Sequence, residues 1–127
     1  EQSALHSSGP LVLFNGGVRG GVTKLLIHAY VNVPAPTAIV AQAKIKRIHK
    51  GRFGTRAVTT IPKIAGGAGA VTRFNLSIRR SFRRGGERQS YLLARCANGR
   101  FFAHGLVSFD DGTRLSANVV RTCRARG

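Results

Sequence analysis

Five arginines fall within ten residues of this chain, at Arg79, Arg80, Arg83, Arg84 and Arg88. Guanidinium forks match the oxygens of phosphate, sulfate and carboxylate, so this cluster is the best binding candidate in the sequence. Phe82 and Tyr91 flank it, and single-strand nucleic-acid binders interleave aromatic stacking platforms with cations in this way. The apolar alternation nearby assigns Phe82 to the core, however, and no RNP, KH or helix-turn-helix signature accompanies the arginines. The whole chain carries 21 Lys+Arg against 4 Asp+Glu, a net charge of +17. Such a field concentrates anions and repels copies of the chain at low salt. One reading is a polyanion partner: nucleic acid, an acidic cell-wall polymer or an acidic lipid surface. The other is compositional, because arginine exceeds lysine sixteen to five and alanine is frequent, as a GC-rich genome supplies.

Catalytic chemistry has little to work with. Glu1 is terminal, Glu87 sits among arginines, and Asp110 with Asp111 precedes Gly112. Adjacent aspartates could serve as a glycosidase or calcium pair, but Asp-Asp-Gly is also the composition of a hairpin loop. His6, His28, His49 and His104 are scattered through tail, strand, turn and strand. His28 and His104 have no carboxylate nearby in sequence, as a nucleophile-activating base would need. The run Gly66-Gly67-Ala68-Gly69 lacks the Lys-Ser/Thr and helix of a phosphate-binding loop. A hydrolase using Asp110, Asp111 or His104 is the least favoured reading. No enzyme, cofactor, metal or small-molecule substrate is expected.

Cys96 and Cys123 stand 27 positions apart in matching strand contexts, which favours a disulfide and an oxidising compartment. The alternative is two buried free thiols. Zinc would need a second Cys/His pair at ligand spacing.

The elements that position these residues read as strands. No 3.6-residue apolar period lasts more than a turn or two, and 16 glycines punctuate the chain. Residues 1–10 form a polar lead-in. Residues 11–14 make a short strand closed by Asn15-Gly16-Gly17. Residues 22–33 carry apolar groups on both faces and suit a central strand stopped by Pro34. Residues 37–48 alternate cleanly, with Ile39, Ala41, Ala43 and Ile45 on one face and Val40, Gln42, Lys44 and Lys46 on a basic outer face. A turn at 49–52 leads into residues 55–61, and 65–70 is a glycine-rich loop. Residues 71–82 alternate Phe74, Leu76 and Ile78 against Arg73, Asn75, Ser77 and Arg79, with a bulge expected at Arg79-Arg80. The next turn spans 83–88.

A three-stranded meander then runs from Ser90 to Cys123. Asn98-Gly99 is a type I′ hairpin signal, and Asp110-Asp111-Gly112 suits a slightly longer loop. Arg121 shares the alternation of Leu115, Ala117, Val119 and Cys123, so a bulge or an exposed edge must let it escape. About eight strands separated by Gly, Pro and Asn point to one all-β domain over 11–127. The class is an antiparallel two-sheet sandwich, Ig-like or jelly-roll-like.

The segments TIPKIAGGAGAVTRFNLSIRRSF and SYLLARCANGRFFAHGLVSFDDGTRLSANVVRTC resemble the C-terminal part of a group of secreted actinobacterial proteins. There an IPxIAGGxGxVT loop is followed by SYLxAxC and by F.DGT.LS…VR.C. The resemblance covers residues 60–123 well and the first half loosely, and Ala117 stands where a small residue, often Gly, is usual. It implies export, a Cys96–Cys123 pair and an all-β domain, and it carries over no functional residue. With no Met and Glu at position 1, the sequence reads as a processed or excised piece. No apolar run is long enough for a membrane span. The expectation is a secreted or cell-surface, non-enzymatic envelope module that assembles through edge strands. The alternative is a polyanion-binding module built on Arg79, Arg80, Arg83, Arg84 and Arg88.

Overall fold

The computed structural model describes residues 6–32, 35–67, 69–77, 81–90, 96 and 98–123. The chain is all-β: the described residues form eight strands, every pair antiparallel, and one short 3-10 turn at Ala65–Gly67. Among the described residues, no helix is long and apolar enough to cross a membrane. Contacts group the chain into two compact units, Glu1–Thr72 and Arg73–Gly127, where the sequence reading draws a single domain over 11–127.

The first unit is a four-stranded meander in the order β1 (Leu11–Arg19), β2 (Val22–Val31), β3 (Thr37–Lys50) and β4 (Phe53–Thr60). The expected stop at Asn15-Gly16-Gly17 is instead a bulge inside β1. The register passes from Asn15↔Leu25 to Val18↔Thr23, setting Gly16 and Gly17 against Lys24 alone. Gly17 takes φ 86, and its N–H donates to Asn15 Oδ1 at 2.9 Å. The glycine therefore absorbs an extra residue and the strand runs on. The chain reverses at Gly20-Gly21, where both residues have positive φ, as a tight hairpin turn requires. Strand β2 is central, as its two apolar faces suggest.

Residues opposite one another in an antiparallel ladder share a face. Leu13, Ile27 and Ala41 form one such row, and Leu25, Ala43 and Thr59 another. This face holds the described residues that are buried, Ala41 and Ala43 at 7% and 5% exposure, with Leu11, Leu13, Leu25, Ile27, Ile39 and Ile45 half-buried. The predicted inward set of residues 37–48 is thus the covered one. On the other face Val12, Phe14, Leu26, Tyr30, Val40 and Val58 are exposed.

The second unit contains two hairpins, β5 (Ser81–Arg84) with β6 (Glu87–Ser90), and β7 (Arg100–Ser108) with β8 (Arg114–Thr122). Three expectations change here. Residues 71–77 carry no regular structure, and Phe74 and Leu76 are exposed, so of the described residues in the strand predicted over 71–82 only Ser81 and Phe82 are strand. Ile78 and the bulge expected at Arg79-Arg80 lie outside the described residues. Phe82 is not a core residue: it is 37% exposed on β5, which among the described residues pairs with β6. The turn placed at 83–88 shrinks to Gly85-Gly86, because two glycines at positive φ close the hairpin and leave the arginines on its strands.

The second and third strands of the expected meander are β7 and β8, whereas residues 91–95 of the first lie outside the described residues. Asn98 and Gly99 both have positive φ, as a type I′ turn demands. Cys96 and Cys123 form a disulfide with a Cα–Cα distance of 6.1 Å. The Cys123 N–H donates to Gly99 O at 2.9 Å, tying the end of β8 to the turn before β7. Arg121 opposes Phe101 on a face that is exposed, so it has no burial to escape.

Candidate functional site

The arginine cluster is a hairpin. Arg83 directly opposes Arg88, and Arg84 opposes Glu87. Alternation puts Ser81, Arg83, Arg88 and Ser90 on one face, and Phe82, Arg84, Glu87 and Gln89 on the other. Arg88 Nε donates to Ser81 Oγ at 3.0 Å, a diagonal contact that fixes one guanidinium over the strand pair. Like charges directly opposed on a ladder repel by an amount comparable to the roughly 0.2–1 kcal/mol of a favourable pair. A bound anion relieves that repulsion. Of the five predicted residues, the structure brings Arg83 and Arg88 together on one face and sets Arg84 on the other, opposite Glu87, while Arg79 and Arg80 lie outside the described residues.

A second basic surface on the four-stranded sheet went unassigned as a site, although its alternation shows the outer face of β3 to be basic. Arg19, Val22, Lys46 and Arg56 form one cross-strand row, and Lys24, Lys44 and Val58 form the next. Two like-charge pairs, Lys24–Lys44 and Lys46–Arg56, are therefore directly opposed. Both rows stand on the face that also exposes Phe14, and both lie at the end of the sheet with the Gly20-Gly21 and Gly51-Arg52 turns. Arg47, Lys50 and Arg52 belong to the same end. Of the nine Lys and Arg in residues 1–72, only Lys63 is elsewhere, and the one acid in that stretch is Glu1. The signal lay in strand register: cations scattered from 19 to 56 converge only once four strands are folded side by side.

The candidates for catalysis have structural occupations. Asp111 Oδ1 accepts the Thr113 N–H at 2.8 Å. Phe109 N–H donates to Thr113 O, and Gly112 N–H to Phe109 O, closing the loop before β8. The backbone and side chain of Thr113 hold the Asp111 carboxyl below the usual carboxylate range. Asp110 shares that turn. The His104 Nδ1–H donates to Asn118 Oδ1 at 2.8 Å across the β7–β8 ladder, the amide oxygen being an acceptor only. These aspartates and this histidine are built into two local features of one hairpin. Among the described residues, no three His, Cys, Asp or Glu side chains gather as a metal site.

The hairpin and the sheet end both offer exposed cations, and the sheet offers a polarised face, apolar around Val12, Leu26, Tyr30 and Val40 and basic around Lys24, Lys44, Lys46 and Arg56. Comparison with protein-family models, with curated proteins and with solved structures gave no match to this chain.

Proposed function

We propose that this chain is a non-enzymatic, extracellular or cell-envelope assembly module of β-sandwich type, joining copies of itself through the β1 edge. The observation that carries the reading is the outer edge of β1. Among the described residues no strand pairs with it, and its first four residues, 11–14, are uncharged and apolar. Val12 and Phe14 are exposed there. Open edges of this kind template pairing with another chain unless charge, proline or a bulge blunts them. The bulge and Arg19 of β1 both come after this segment. The opposite edge, β4, carries Arg56 in mid-strand, so β1 is the edge suited to pairing. The disulfide fits an oxidising compartment, and residues 60–123 resemble secreted actinobacterial proteins.

The test is sedimentation of the purified chain over a wide concentration range at physiological and raised salt. Association that strengthens with salt, and that Val12→Lys abolishes without changing the circular dichroism spectrum, is the expected result. A wild-type chain that stays monomeric throughout overturns the reading.

A second reading, polyanion binding through Arg83, Arg84 and Arg88 with Arg79 and Arg80, is supported by the opposed Arg83–Arg88 pair and the Arg88–Ser81 hydrogen bond. Retention on heparin well above physiological salt, lost on charge reversal of these arginines, is its expected signature. Elution near physiological salt that ignores those changes removes it.

A further inference from the structure

We propose that the turn end of the four-stranded sheet is a separate binding site for a linear phosphate chain, with Arg19, Lys24, Lys44, Lys46 and Arg56 as its cations. This inference rests on residues other than the 79–88 cluster and does not depend on assembly. All five side chains stand on one face, in two adjacent cross-strand rows. Neighbouring strands lie about 4.8 Å apart, and successive same-face positions roughly 6.8 Å apart along a strand. That is a lattice of positive charge whose spacing is of the same order as the one charge per roughly 3.4 Å of a nucleic-acid strand. A flexible phosphate chain can follow it, meeting successive cations with successive or alternate phosphates.

The like-charge pairs are the second support. Lys24 opposes Lys44 and Lys46 opposes Arg56, so the sheet holds cations together that repel one another. The one acid in the sequence of residues 1–72 is Glu1. An anion laid across both rows replaces that repulsion with attraction. Phosphate chains occur bare or as a nucleic-acid backbone, and Phe14 separates the two sources. It lies on the same face, diagonal to Lys24, and is 54% exposed. A ring so placed can stack a base but offers a bare polyphosphate nothing.

The experiment titrates the full chain, at concentrations too low for copies to associate, with fluorescein-labelled dT20 and with inorganic polyphosphate of matched charge, across a range of KCl. Each lost phosphate contact lowers the logarithmic salt slope by about 0.7, so the double variant K44Q/K46Q is expected to lower it by about 1.4. A melt checks folding, and removal of the repelling pairs is expected to leave the variant at least as stable as the parent. The variant K63Q, at the one Lys or Arg of residues 1–72 away from this end of the sheet, is expected to leave the slope for these probes in place. Tighter binding of dT20, lost in F14A, supports the site with a nucleic-acid strand as its occupant. Equal binding of both probes supports it with the bare chain. An unchanged slope in K44Q/K46Q, a fall in K63Q as large as in K44Q/K46Q, or no binding of either probe at physiological salt overturns the proposal. Because copies do not associate under these conditions, its failure leaves the assembly reading standing, and the reverse holds too.

Discussion

Reducing the single disulfide should melt one hairpin and spare the four-stranded sheet. The bridge spans 27 positions, from Cys96 to Cys123, and encloses all of β7 and β8. For a closed loop of that length the chain-entropy model gives a loss of roughly 12 cal/mol/K in the unfolded state, about 3.6 kcal/mol at 25 °C. What opposes that loss is slight. Every residue of β8 is exposed, as are those of β7 apart from the half-buried Phe102 and Ala103. An isolated two-stranded hairpin is marginal in water, and cross-strand pairs such as Phe102–Val120 and Val107–Leu115 contribute about 0.2–1 kcal/mol each. Removing the constraint therefore takes more than any few of these pairs supply. Amide exchange followed with and without a thiol reductant reads the outcome residue by residue. The expected result is protection lost over 100–108 and 114–122 and retained over 22–31 and 37–50. Unchanged protection in β7 and β8 after complete reduction refutes the reasoning, and so does simultaneous loss from β2 and β3.

Other outcomes follow from single residues. Asp111 is held below its ordinary carboxylate value by hydrogen bonds from Thr113. Its contribution to the β7–β8 loop is thus complete above the unfolded value near 3.9 and is lost as pH falls through the lower folded value. An NMR titration should show the Thr113 amide shifting with that midpoint, and Asp111→Asn should remove the shift. Gly17→Ala places a Cβ at φ 86 and is expected to destabilise the first unit by about 1–2 kcal/mol, read from a denaturant midpoint. Gly9→Ala would drive a Cβ into the Tyr30 carbonyl, so exchange protection should fall at Ala29 and Val31 and not at Lys44. Lys44→Thr removes one opposed like charge from the ladder and adds a β-branched residue, and a rise of about 0.5 kcal/mol in unfolding free energy is expected.

The all-β class and two of the turns were readable from the chain because their causes are local. Asn98-Gly99 and Asp110-Asp111-Gly112 appear as turns through backbone freedom and a side-chain hydrogen bond that neighbouring residues supply. The alternation of β3 predicts its covered face because period two is a property of the strand alone. What was misread depended on partners. Asn15-Gly16-Gly17 is the composition of a turn, and whether it turns or bulges is decided by the β2 ladder opposite it. Phe82 looked inward-facing by alternation, but on the β5–β6 hairpin it is 37% exposed. The sheet-end cations show the same limit from the other side. Linear spacing made 79–88 conspicuous, whereas Arg19, Lys24, Lys44, Lys46 and Arg56 become one surface only through a register that no single strand encodes.

Charge placement also decides whether assembly and a net charge of +17 are compatible. Two β1 strands paired antiparallel about Leu13 put each Arg19 roughly 20 Å from the centre, six residues at about 3.4 Å each. The two basic ends then point in opposite directions, separated by several times the Debye length of about 8 Å at physiological ionic strength. Repulsion between the sheets is accordingly screened where they touch, although the chain as a whole is strongly cationic. Reversing the polarity of the sheet would destroy this arrangement: cations at residues 11–14 would meet across the pair, as charged edges do in proteins that stay apart. The same segregation leaves both basic ends exposed in the paired state. A phosphate chain longer than one site could then bridge successive pairs, so the β1 edge and the sheet-end site meet at Phe14 and otherwise draw on opposite ends of one sheet.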